Sequence, residues 1–157
     1  MGDCKKQKIV KQTVNPGINT KIVNQTEIPD QYYAQSPTWV FSNSDTQMWA
    51  FTEENIGDVI WSEILPRLKA FESQTWNEIL LIDKKNNHSI TVNNLSKNAQ
   101  KRLVERCIEY QSIISLRLTG NHRLYGYISK GAFNILWYDN THGDNNNCVC
   151  RSYLKHT

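Results

Sequence analysis

Long hydrophobic runs are missing. Nowhere in the 157 residues do about 18 apolar residues follow one another, the length that a membrane-spanning helix requires. The opening stretch Met1-Gly2-Asp3-Cys4-Lys5-Lys6-Gln7-Lys8 also lacks the apolar centre of a secretory leader. These absences argue against a membrane protein and set the expectation of a cytoplasmic chain. Cysteine is scarce as well: Cys4, Cys107, Cys148 and Cys150 are irregularly spaced, which in a reducing compartment reads as thiols rather than bridges. Cys148-Val149-Cys150 with His142 or His156 matches no common zinc spacing, so neither a metal nor another cofactor is expected. There is no phosphate-cradling glycine loop, no Gly-x-Ser-x-Gly and no His-Glu-x-x-His, which removes the chemistries those motifs carry.

Aromatic residues are plentiful. Five Trp, seven Tyr and four Phe, within a hydrophobic share of 39% and a mean hydropathy of −0.59, give a mostly polar chain large surfaces to bury. The length suits one domain. The net charge of +3 conceals a polarity. Residues 1–21 hold five lysines against Asp3, a net of +4, and residues 97–131 hold seven cations, Lys101 and Arg102 among them, against Glu105 and Glu109, a net of +5. A basic segment of this kind suits a polyanion.

Residues 1–36 are polar and broken by Asn15-Pro16-Gly17 and Ile28-Pro29-Asp30, so they read as a basic arm or tail, and residues 37–157 as a single α+β domain. A strand is expected at 38–42. The apolar residues Ile56, Ile60, Ile64, Leu68 and Phe71 recur at helical steps, predicting a helix over 53–71 that Pro66 kinks or divides. Thr75 and Glu78 have capping-box spacing for a helix at 76–82, with Ser73 as the competing cap. Ser96 is an N-cap for a helix over 96–110. Across 112–139, alternation of apolar and polar residues interrupted by Gly120-Asn121 and Lys130-Gly131 predicts a three-stranded antiparallel meander. The fold expected is therefore a small twisted antiparallel sheet, the meander plus the N-terminal strand, packed through one apolar face on two or three helices.

On the polar face of that meander the alternation places Arg117, Arg123 and Tyr125 together. Two guanidiniums and a phenol suit a phosphate and a stacked base; a solvated sheet face is the structural alternative. His142 stands in the loop Asp139-Asn140-Thr141-His142-Gly143-Asp144 just past the last strand, where an imidazole can act as general acid or base. That loop is equally well read as a hydrogen-bonded turn. His122, in the hairpin turn beside Arg123, is a further substrate contact, as are Lys101 and Arg102.

The stretch Leu116-Arg117-Leu118-Thr119-Gly120-Asn121-His122-Arg123-Leu124-Tyr125-Gly126-Tyr127, followed by a strand and by Asp139 to His142, resembles the RelE/YoeB-like toxin superfamily. The likeness spans roughly residues 38–144. It implies cleavage of mRNA, on the ribosome in many members, with Arg117 and Arg123 binding the scissile phosphate and His142 in the acid/base region. It also implies RNA or a ribosome and an antitoxin protein as partners. The chain departs from that family after His142, where Gly143-Asp144-Asn145-Asn146-Asn147 contains no tyrosine. Two readings from other classes stay open: a non-catalytic nucleic-acid- or protein-binding module of the same fold, and an interaction protein of a phage or mobile element.

Overall fold

A computed structural model describes residues 29–143 and 147–150; the lysine-rich stretch before residue 29 lies outside them. The chain runs α1 (Asp30–Tyr33), β1 (Thr38–Val40), α2 (Glu53–Ile56), a π-helical turn (Ile60–Ile64) leading into α3 (Leu65–Glu72), a second π-helical turn (Glu78–Ile82), β2 (His88–Thr91), a 3-10 turn (Val92–Asn94), α4 (Lys97–Glu105), and the meander β3 (Ser112–Thr119), β4 (His122–Ser129) and β5 (Ala132–Asp139). The strands form one sheet in the order β1-β5-β4-β3-β2. This is an α+β fold. Among the described residues no helix is long and apolar enough to cross a membrane.

Local signals in the sequence act as expected at several boundaries. The Thr75 N–H donates to Glu78 Oε2 (2.7 Å) and the Glu78 N–H to Thr75 Oγ1 (3.3 Å), a reciprocal capping box. Ser73, the competitor, donates its hydroxyl to the Ala70 carbonyl instead. Ser96 Oγ accepts from the Ala99 N–H (3.2 Å) and starts α4. Pro66 does not divide the helix: the π-helical turn runs on into α3 through Ile64 and Leu65, both right-handed helical, its wider winding lying just before a residue that has no N–H to give, and the break in the expected helix falls at Gly57 (φ 56°) instead.

Other expectations are corrected. The N-terminal strand pairs with β5 in parallel, Thr38 opposite Ala132 and Val40 opposite Asn134, so the sheet is mixed. Its reach is shorter than 38–42, and Phe41 lies exposed against Phe51. Residues 88–91 form β2, antiparallel to β3, where the apolar pattern over 89–92 is too short to mark a strand. The helix from Ser96 stops at Glu105 because the Ile108 N–H returns to the Leu103 carbonyl and the Cys107 N–H to that of Val104, a Schellman closure with Cys107 in the left-handed region (φ 56°). Cys107 is disulfide-bonded, contrary to the thiol reading; Cys148 and Cys150 are buried thiols. Within the stretch read as an arm, Tyr32 and Tyr33 pack on the core, and the Gln35 carbonyl accepts from the Trp76 N–H.

The largest correction concerns layers. The helices do not share one face. Leu68 and Phe71 of α3, with Ile64, Trp76 and Ile79, pack on Leu116, Leu124, Phe133, Ile135 and Tyr138. Ala99 and Leu103 of α4, with Leu95 and Val149, pack on Ile113, Tyr125, Leu136 and Trp137 of the opposite face. The sheet is a middle layer, which is why Ile113, Ile114, Ser115 and Leu116 are buried without a break.

Candidate functional site

α4 covers only part of its face. Towards the β3–β4 hairpin, the cross-strand register sets Arg117 directly opposite Arg123, and Arg123 opposite Asp139. Like charges opposite each other on adjacent strands repel. A fold would ordinarily set a carboxylate between two such cations, yet among the described residues neither guanidinium has a carboxylate oxygen within 4.0 Å. Neutral oxygens hold them instead. Arg117 Nη1 donates to Asn86 Oδ1 (2.9 Å), and Arg123 Nη1 donates to the carbonyls of Gly120 (2.7 Å) and His122 (3.0 Å). Arg117 is exposed and Arg123 half-buried. Burial, and then the charge of Arg117, lower the Arg123 pKa against opposing fields from Tyr125 and Asp139.

The Asp139 carboxylate is buried and committed to the loop that follows it. Its Oδ1 accepts from the N–H and hydroxyl of Thr141 (2.7 and 2.6 Å) and its Oδ2 from the Val149 N–H (2.8 Å). These bonds fold residues 140–143 back across the end of the sheet. His142 thereby reaches the Tyr125 hydroxyl, with Nδ1 3.4 Å from Oη. Burial lowers the His142 pKa, and the charges of Arg123, His88 and Arg117 lower it further against the pull of Asp139. The turn reading of Asp139 therefore holds, and that turn is what sets His142 beside Tyr125.

Four expected residues come together: Arg117, Arg123, His142 and Tyr125. The role of Tyr125 changes, because its ring is fully buried between α4 and the sheet and cannot stack a base. Burial drives its pKa well above the usual phenol value, so its hydroxyl stays protonated. Three expected residues are elsewhere. His122 projects to the other face, where Nδ1 meets the Tyr138 hydroxyl. Lys101 lies on the outer side of α4 beside Glu105 (3.9 Å). Arg102, half-buried, is the partner of the buried Asp45, through Nε to Oδ2 (2.7 Å) and Nη2 to Oδ1 (2.9 Å).

One member was not foreseen. His88 opens β2, opposite Ser115, and the alternation His88, Ile90 against Ser89, Thr91 carried the faint signal of its strand. Nothing local announces that it lies near Arg123. Burial and then the Arg123 charge lower its pKa, with the Lys84 carbonyl acting in the opposite sense. The assembled groups are two imidazoles, two guanidiniums and a protonated phenol. Together they can bind an anion and move a proton. Among the described residues no three His, Cys, Asp or Glu side chains converge as a metal site would require. Comparison with family models, with curated proteins and with solved structures gave no match to this chain.

Proposed function

We propose that this chain is a toxin-type endoribonuclease that cleaves mRNA, with Arg117 and Arg123 binding the scissile phosphate and His142 moving a proton. The observation that carries the reading is the Arg117–Arg123 pair. Two cations stand opposite each other with no carboxylate oxygen within 4.0 Å of either guanidinium among the described residues, beside an imidazole that the Asp139 loop positions. Such an arrangement is unfavourable alone and favourable with a phosphate between the guanidiniums.

In the reaction the ribose 2′-oxygen attacks the adjacent phosphorus. The O2′–P bond forms, the P–O5′ bond breaks, and the products are a 2′,3′-cyclic phosphate and a 5′-hydroxyl. The guanidiniums stabilise the charge that builds on the non-bridging oxygens, a contribution of several kcal/mol where water is excluded, on the order of 3 kcal/mol per donor. RNA, free or on a ribosome, is then the substrate, an antitoxin protein the natural inhibitor, and the cytoplasm the place of action. The buried Tyr125 ring takes away the stacking platform that a binding module would use.

Arg117→Ala is the sharper test variant, since Arg117 is exposed whereas Arg123 also ties down the hairpin carbonyls. Induced expression of the wild-type chain should arrest growth and create new mRNA 5′ ends. Arg117→Ala should lose both while its unfolding free energy stays within about 1 kcal/mol. Normal growth and intact mRNA at good expression of the wild type would refute the nuclease.

A further inference from the structure

His88 has no part in the scheme above, yet the sheet brings it to the same place. Its register partner is Ser115, and the register partner of Ser115 is Tyr125. One cross-strand row thus runs His88, Ser115, Tyr125, and the Tyr125 hydroxyl leads on to His142 (3.4 Å). The Arg117–Arg123 pair lies in the next row on the same face. His88 Nδ1 is buried and has no hydrogen-bond partner among the described residues, a condition that costs about 1–3 kcal/mol for a polar group. Such an orphan atom in a cationic cluster is what a site waiting for an anionic, hydrogen-bonding ligand leaves behind.

We propose that His88 is the second proton-transfer group of this site, acting with His142 on the two sides of the phosphodiester held by Arg117 and Arg123. The inference rests on the ribonuclease reading. Transphosphorylation moves two protons: one leaves the 2′-hydroxyl as O2′ bonds to phosphorus, and one must reach O5′ as the P–O5′ bond gives its electron pair to that oxygen. A single imidazole serves both only by moving between the two oxygens. Two imidazoles, one neutral and one protonated, serve them together, and exchange with water restores the pair afterwards. His88 fits the second role because the Arg123 field acts on both rings and the His88 field acts on His142. The two rings thus lie within electrostatic reach of one anion.

The test uses the full chain and a fluorescent RNA dodecamer, with and without purified ribosomes, over about pH 4.5–8.5. Wild type should give a bell-shaped dependence of kcat/KM on pH and a 2′,3′-cyclic phosphate product. His88→Gln should lower kcat by about 100-fold or more, the scale of one general acid or base, leave KM within about threefold, and abolish one limb of the bell. His88→Gln that keeps both limbs and a rate within about threefold of wild type overturns the role of His88 alone. Failure of the wild type to cleave in either format overturns the nuclease reading and this inference with it. Should His88→Gln not fold, the imidazole resonances of the wild-type chain decide the matter. A non-cleavable 2′-deoxy dodecamer should raise the pKa of both His88 and His142, and an unmoved His88 resonance overturns the proposal.

Discussion

Asp45 shows what this fold does with arginines it uses for structure. Its side chain is fully buried, and Arg102, Arg106 (3.8 Å) and the Trp137 indole (3.1 Å) converge on it. Burial pushes the carboxyl up, but the hydrogen bonds from Arg102, from the Gln47 and Met48 N–H groups and from Trp137 overcome it and hold the pKa far below the usual carboxylate range. Among the described residues Arg117 and Arg123 receive no such partner. Asp45→Asn should therefore destabilise the chain by about 3 kcal/mol, because it leaves buried guanidiniums uncompensated. Urea unfolding at neutral pH measures the loss, and a change below about 1 kcal/mol would show that the pair is dispensable. At this scale the sequence named these cations without sorting them. Alternation put Arg117 and Arg123 on one face, whereas the partner of Arg102 stands 57 residues away, beyond any local pattern.

At the scale of elements, the irregularities of the sheet aim the side chains. Between Tyr125 and Gly126 the register of β4 on β5 shifts: Tyr125 faces Trp137, whereas Gly126 faces Ile135. Leu136 is the extra residue of a bulge, which lets Leu136 and Trp137 both enter the layer under α4 while Tyr138 enters the other. Glycine is required opposite this bulge. A Cβ at Gly126 would stand 2.1 Å from the Asn134 carbonyl oxygen and 2.7 Å from the Phe133 ring. Gly126→Ala should cost about 3 kcal/mol, the upper range for overpacking, and thermal unfolding with a lowered midpoint checks it; an unchanged midpoint would mean that the strand can shift. The hairpin turns and the caps at Thr75 and Ser96 were legible because their chemistry is local. The parallel pairing of β1 was not, since a three-residue strand carries no mark of its partner's direction.

For the whole molecule, the consequence of covering both faces is that the candidate site lies at the uncovered end of one of them. Its two imidazoles, both with pKa values lowered by burial and by Arg123, bind protons less tightly in the folded chain than at the ordinary histidine value of about 6.5. The unfolded chain then binds more protons as pH falls through that value, so acidification below about 6.5 should destabilise the fold. Urea midpoints should drop between about pH 7 and pH 5, above the range in which carboxylates titrate. The drop should shrink in His88→Gln. A flat profile would show that the two rings keep ordinary pKa values.

The sequence by itself determined the α+β class, the meander with its turns, the two side-chain caps, and the common face of Arg117, Arg123 and Tyr125. All of these follow from interactions within a few residues or from the two-residue period of a strand. Only the tertiary structure decided that α4 lies on the face opposite α3, that Tyr125 is buried, that Arg102 belongs to Asp45, and that His88 joins His142. These depend on which surfaces meet once strands pair and layers close. Such contacts link residues tens of positions apart, and their free energy comes from burial of the assembled layers rather than from any single segment.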